Sequence, residues 1–252
     1  MASTQEADLR DQAAGLRRLM SSPLSALCTV LSADGRERKP LLVNRLAASM
    51  ARRGHPVMVV DAATPAGTGS APAPTLLDVA QGRASLDDAR VTDGEGIAHC
   101  RLGACGGHDG GEGAPELAGL LQQLAAEGMR LLVNAELDAQ GQLPLSMLAD
   151  GDIVVQLSGS AAAIRDAYDM LRALKHLCGR GTVSLLVTEV DPVRARHVHA
   201  NLFHAASRYL ALPVRSITAP PGAARSAAGR DPVNRDAPRR DVAQSEAGSR
   251  HV

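Results

Sequence analysis

Short aliphatic segments alternate with longer amphipathic segments along most of this chain. A short aliphatic segment suits a buried strand, and an amphipathic segment after it suits a helix that covers the sheet. We therefore expect an α/β fold, doubly wound, with about seven mostly parallel strands and helices on both faces. The predicted strands are 26–31, 57–60, 97–102, 130–133, 153–157, 183–187 and 214–217, and the predicted helices are 41–53, 75–81, 115–127, 161–177 and 194–210.

This pattern occupies the middle of the chain and leaves the two ends outside it. Of the 252 residues, 45% are apolar and 21% charged, which is enough for one sizeable core. Residues 1–22 form a polar, helix-prone segment, and residues 24–218 carry the alternating pattern. Residues 219–252 contain hardly any large apolar side chain, so we expect a disordered tail there.

Composition also argues against several classes of function. The formal net charge is zero and aromatic residues make up 1% of the chain, so neither charge nor stacking favours nucleic acid as a partner. The amino end lacks a signal-peptide pattern and no apolar run is long enough for a membrane span, so we expect a cytoplasmic protein. The spacing of Cys100, Cys105 and His108 does not match paired zinc ligands, and we predict no metal site.

The loop from Ala33 to Pro40 follows the first predicted strand and precedes the first predicted helix, where a P-loop would lie. A P-loop reads G-x-x-x-x-G-K-[ST], and Lys39 is the one element of that pattern present here. Ala33 and Arg38 replace the glycines that let the backbone approach phosphate. Pro40 removes both the hydroxyl that binds Mg²⁺ and one N–H donor. These changes predict that the loop does not bind nucleotide tightly.

Several short motifs, in matching order over about residues 8–218, resemble one family. They are the D-Q-A-x-x-L-R run at 11–17, V-M-V-V-D-A at 57–62, T-L-L-D-V at 75–79, I-V-V at 153–155 and D-A-Y at 166–168. Together they resemble the flagellar-number regulators FlhG and FleN, in the MinD/ParA class of ATPases with a deviant Walker motif. The resemblance implies a P-loop NTPase fold of the MinD type.

The chain departs from that family at the positions that handle nucleotide. Asp34 corresponds to the extra lysine of the deviant motif, Asn134 to the Walker B aspartate, Ala63 to the second aspartate of D-A-D, and Thr188 to the asparagine that reads adenine. Lys39 and Asp61 are the remnants of the cofactor site. We therefore expect a pseudo-ATPase that needs no cofactor.

The resemblance also implies partners. In the family, the amino-terminal segment contacts and stimulates the FlhF-type GTPase, and the matching residues are Asp11, Gln12, Leu16 and Arg17. A flagellar transcription regulator or a switch-ring protein is a second expected partner, with recruitment to the flagellated pole. Residues 219–252 present no apolar helical face, so the membrane contact known in the family is not expected here.

Two alternatives remain open from the sequence. One is an active MinD/ParA-class ATPase whose remodelled loop binds ATP and Mg²⁺ through Lys39 and Asp61. The other is an accessory protein of the same class that serves partitioning or polysaccharide secretion. The sequence favours a protein without enzymatic activity over the first of these.

Overall fold

The fold is seen in a computed structural model that describes residues 26–34, 39–63, 73–104, 111–178, 181–188 and 190–218. The predicted amino-terminal segment and the predicted tail lie outside these residues. The elements, contacts and burial of this protein are those of these residues.

Eight strands form one sheet in the order β3-β4-β2-β5-β1-β6-β7-β8. The strands are β1 Leu27–Ser32, β2 Val57–Asp61, β3 Arg90–Thr92, β4 Ala98–Arg101, β5 Arg130–Asn134, β6 Asp152–Ser158, β7 Val183–Thr188 and β8 Val214–Thr218. All neighbours pair in parallel except β3 and β4, which are antiparallel. The sheet confirms the predicted fold class, and it places β1 at the centre between β5 and β6.

Six α-helices connect the strands. They are α1 Lys39–Ala51, α2 Leu76–Ala80, α3 Leu86–Ala89, α4 Ala114–Ala126, α5 Ala161–Leu177 and α6 Pro192–Ala205; a 3₁₀ turn spans Ser146–Ala149 and a π turn follows α6 at Ala206–Leu210. Among these described helices, none has the length and apolar character needed to cross a membrane.

The sheet has a hydrophobic core on each face because successive strand residues point to opposite sides. Leu27 and Leu31 of β1 join the larger core, which α2, α4, α5 and α6 cover. Cys28 and Val30 point the other way and pack with α1 through Val43, Ala47 and Met50. Helices on both faces were expected from the sequence, and the two cores confirm them.

The structure adds one strand to the predicted seven. Strand β3 holds three residues, all exposed, and it forms the edge of the sheet. Three residues are too few to show the alternation of apolar and polar positions that reveals a strand in a sequence. It exists because the turn after it folds the chain back onto β4.

Candidate functional site

Lys39 is the first residue of α1, and its side chain turns back toward the end of β5. Its Nζ donates to the Ala135 carbonyl oxygen at 2.7 Å and lies 3.6 Å from Oε1 of Glu136. The residue is 2% exposed, whereas the Glu136 side chain is 27% exposed. A buried ammonium requires such acceptors, because an unpaired charge away from water is strongly destabilising.

Lys39 carries its positive charge at the start of α1, so the negative charge of Glu136 matters more for the stability of this region. The amino end of a helix carries partial positive charge, so a cation there is disfavoured and an anion favoured. Glu136 supplies the negative charge that offsets Lys39. Pro40, the second residue of α1, has no N–H, so this helix end also offers one donor fewer to an anion.

Asp61 and Asn134 lie side by side at the carboxyl ends of β2 and β5, where the two strands pair in register. Asn134 Nδ2 donates to Asp61 Oδ1 at 3.0 Å, and the Ala63 N–H donates to the same oxygen at 3.1 Å. Asn134 is buried, and its Oδ1 has no donor among the described residues. Asp61 therefore holds the chain as it leaves β2.

Asp34 lies just after β1 and contacts β6. Ser158 Oγ donates to Asp34 Oδ1 at 2.6 Å, and the Asp34 N–H donates to Ser32 Oγ at 3.2 Å. The other carboxylate oxygen, Oδ2, is buried and has no donor among the described residues. The position corresponding to the family's extra lysine thus carries a carboxylate fixed within the protein.

Thr188 ends β7 at the same edge of the sheet. Its Oγ1 donates to the Leu157 carbonyl oxygen at 3.4 Å. The hydroxyl therefore bonds to the neighbouring strand, and it lacks the amide that the family uses to read adenine.

Among its described residues, the site is rich in acceptors and poor in positive charge. Asp34, Asp61 and Glu136 contribute three carboxylates, and Lys39 contributes one ammonium. Phosphate is itself an acceptor and an anion, so it needs the opposite environment. The charges and hydrogen-bonding groups of the described residues therefore complement each other better than they complement a nucleotide.

Nothing in the described part of the chain indicates a metal centre. No group of three or more histidine, cysteine or acidic side chains there is placed to hold a metal ion. Burial raises the pKa of the Cys100 thiol to about 11, which keeps it protonated and a poor metal ligand. Cys105 and His108 lie outside the described residues.

Three solved structures show where this architecture has been seen before. The chain is similar to a chain of the MinC:MinD cell division protein complex of Aquifex aeolicus, with a TM-score of 0.54 and 16% identity over 75% of this chain and 78% of that one. It is also similar to a ParA family ATPase from Chlorobium tepidum, with a TM-score of 0.51 and 16% identity over 77% and 83%. The fold is that of the MinD/ParA ATPases. A cobyrinic acid a,c-diamide synthase from Mycobacterium smegmatis, with bound ADP and magnesium, shares it at a TM-score of 0.51 and 20% identity over 73% and 82%.

These likenesses concern the fold alone, because every identity is low. No protein-family model matches the chain, and no curated protein matches it either. Within the MinD/ParA fold, the segment between β1 and α1 is the P-loop position, and residues 35–38 of it lie outside the described residues.

The two predicted remnants of the cofactor site converge on the end of one strand. Lys39 reaches Ala135 and Glu136, and Asp61 reaches Asn134. The predicted partner-binding residues Asp11, Gln12, Leu16 and Arg17 lie outside the described residues, so their role stays a prediction.

Three residues of the site were not singled out from the sequence: Ala135, Glu136 and Ser158. A signal for the first two existed, since they directly follow a predicted strand whose end lies at the same sheet edge as the P-loop position. Ser158 carried no comparable signal, because its role depends on the direction of Asp34.

Proposed function

We propose that this protein is a non-hydrolysing member of the MinD/ParA class that acts by binding other proteins. One observation carries the proposal: the Lys39 ammonium is buried and held by Ala135 and Glu136 of the chain itself. In an ATPase of this class, the same lysine serves the phosphates of the nucleotide.

The competition between phosphate and the protein's own groups supports the proposal. Phosphate at Lys39 would have to compete with a carbonyl and a carboxylate, and the negative charge of Glu136 would repel it. This competition weakens ATP binding before the altered loop is considered.

The metal position adds to this argument. Mg²⁺ prefers anionic oxygen ligands, and Asn134 presents a neutral amide where the class has an aspartate. The amide nitrogen points to Asp61, so that carboxylate already accepts two hydrogen bonds through one oxygen.

The proposed cellular role is regulation of flagellar number or placement, in the manner of FlhG and FleN. The support is the sequence resemblance, above all the D-Q-A-x-x-L-R run at residues 11–17. In this role the amino-terminal segment stimulates an FlhF-type GTPase, and a flagellar transcription regulator or switch-ring protein is the second partner. The protein is cytoplasmic and is recruited to the flagellated pole by these partners.

One observation favours an active ATPase as a second candidate. Asn134 Oδ1 and Asp34 Oδ2 are buried acceptors with no donor among the described residues, at the edge of the sheet where the P-loop position lies. Water molecules around a bound Mg²⁺ are donors that would satisfy such oxygens. This candidate requires Lys39 to leave Ala135 when nucleotide binds.

Equilibrium binding of fluorescently labelled ATP with Mg²⁺ separates the two candidates. We expect the natural chain to bind with a dissociation constant above about 1 mM. The double variant Arg38→Gly with Pro40→Thr should bind no better, because Lys39, Asp34 and Asn134 are unchanged; Lys39→Ala is the control for non-specific signal. Micromolar binding by the natural chain, or measurable turnover, would establish the second candidate instead.

The regulatory role has a separate test in the partner's GTP hydrolysis. Full-length protein is added in excess to an FlhF-type GTPase, and release of phosphate is followed. We expect stimulation by the natural chain, and a loss of at least about tenfold for Arg17→Ala, since a single interface arginine often dominates binding. Arg18→Ala, the neighbouring residue outside the motif, should stimulate normally; equal effects of the two variants would refute the role of the motif.

A further inference from the structure

The two edges of the sheet carry opposite charge. Residues 192–218, which form α6, the π turn and β8, contain four arginines and no aspartate or glutamate. Arg208 and Arg215 are both exposed there. Arg194 is committed internally, since its side chain donates to the Gly159 carbonyl oxygen at 3.0 Å. We call α6, the π turn and β8 the basic edge.

The opposite edge is acidic. Residues 76–99, which span α2, α3, β3 and the start of β4, contain five carboxylates and two arginines. The arginines pair within the chain, Arg83 with Asp78 at 2.6 Å and Arg90 with Asp87 at 2.8 Å. Asp88 and Glu95 are exposed beyond these pairs. We call this region the acidic edge.

The basic edge also exposes aromatic side chains that the core does not use. The chain has three aromatic residues of the Phe, Tyr and Trp types. Tyr168 packs against the core, whereas Phe203 is 39% exposed and Tyr209 is 66% exposed. His199 stacks on Phe203, and α6, which carries both rings, packs beside β8. Exposed aromatic and arginine side chains together are the composition of an interface centre.

Both edges end in a strand with one open side. Within the described residues, β3 pairs with β4 alone and β8 with β7 alone. Val91 in the middle of β3 is 67% exposed. An open strand edge is a ready surface for another chain unless it is covered or blunted.

We propose that this protein associates head to tail, with the basic edge of one copy docked on the acidic edge of the next. The occupant is a second copy because the chain carries both complementary charges, and its zero net charge removes overall repulsion between copies. Since the two edges differ, the contact is heterologous and leaves one free edge of each kind on every dimer. Growth therefore continues beyond the dimer as concentration rises.

Sedimentation velocity of the full chain tests the proposal without nucleotide or partner. Between about 5 and 500 µM in low salt, the average mass should rise steadily above the 26.1 kDa of one chain. In about 0.5 M NaCl, where screening acts within a few ångströms, it should fall back toward one chain. A mass that stays at one chain in low salt, or that stops at a closed dimer, overturns the proposal.

Charge reversal at each edge gives the sharper test. Arg208→Glu with Arg215→Glu, and separately Asp87→Lys with Glu95→Lys, should each weaken self-association by at least about tenfold. A one-to-one mixture of the two variants should regain self-association, because the reversed edges attract each other and the natural acidic edge of one variant meets the natural basic edge of the other.

The control reverses two exposed charges at the end of α1, which packs on the central strands β1, β2 and β5: Arg52→Glu with Arg53→Glu should associate as the natural chain does. The neutral pairs Arg208→Gln with Arg215→Gln, and Asp87→Asn with Glu95→Gln, replace any reversal variant whose thermal unfolding shows loss of folding. Equal weakening by the control overturns the proposal. So does a monomeric chain whose basic edge binds polyglutamate or duplex DNA, since the edge then serves another partner.

Discussion

The bond between Asn134 and Asp61 depends on the one feature that separates an amide from a carboxylate, the N–H donor. Replacing Asn134 by aspartate would set two carboxylates about 3 Å apart, where they cannot both ionise comfortably. The pKa of the pair would rise above its value in the unfolded chain. A raised pKa in the folded state gives stability that is present at low pH and lost as the pH rises through that pKa.

We therefore expect Asn134→Asp to be less stable than the natural chain by about 1–3 kcal/mol at pH 8, with a smaller difference at pH 5. Urea unfolding at the two pH values measures it. Asn201→Asp, at an exposed position of α6, is the matched control and should change stability by less than about 0.5 kcal/mol. If the difference in unfolding free energy grows toward low pH, the expected repulsion between Asp61 and the new carboxylate at position 134 is contradicted.

Among individual residues, the sequence identified Lys39 and Asp61 as members of the site but did not predict which groups of the protein they contact. Their types and positions follow from the strand and helix pattern, which is local information. That Lys39 turns toward Ala135 and Glu136 depends on which strand lies beside β1 and on the direction of a long side chain. The spacing of residues along the chain gives neither the strand order nor the direction of this side chain.

The β3–β4 hairpin shows how a short element is held by its turn. Asp93 Oδ1 accepts hydrogen bonds from the N–H groups of Glu95 and Ile97 at 2.9 and 3.0 Å. Gly96 has a φ of +77°, a conformation that costs other residues energy because of their Cβ atom. Gly94 lies in the same turn without a positive φ, and a Cβ there would meet no atom within 4 Å.

Alanine substitutions at these two glycines separate backbone strain from side-chain crowding. We expect Gly96→Ala to lower the free energy of unfolding by about 1 kcal/mol, because alanine is strained at this positive φ. A Cβ at residue 96 would meet no atom within 4 Å, so backbone strain is the whole expected effect. Gly94→Ala should change it by less than about 0.5 kcal/mol. Chemical denaturation of both variants measures this, and equal effects would contradict the assigned turn.

Most of the elements were predicted, and the exceptions among the strands and α-helices are α3 and β3. Helix α5 spans the predicted residues 161–177 because its apolar positions recur with helical spacing. Helix α1 begins at Lys39, two residues before the predicted start, since Pro40 fits the first turn of a helix. Helix α3 and strand β3 are too short for any periodicity to be seen.

Across the whole molecule, the alternation of strands and helices determined the fold class, whereas the order of strands came only from the structure. Parallel pairing brings the ends of β2, β5, β1 and β6 to one edge of the sheet. This places Asp61, Asn134, Asp34 and Ser158 along that edge although they are far apart in sequence. The position of the site is thus a product of topology, and the chemical groups that it presents are a product of residue type.

The Lys39 ammonium is held by groups of the protein itself, and this can be measured directly. The chain has two lysines, and Lys175 on α5 is exposed whereas Lys39 is buried. The decisive measurement is the rate of acetylation at each lysine in the native full chain, read by mass spectrometry, with and without ATP and Mg²⁺. We predict that Lys39 reacts at least about tenfold more slowly than Lys175 and that ATP leaves its rate unchanged. A Lys39 that reacts as fast as Lys175 and is protected by ATP would contradict the account.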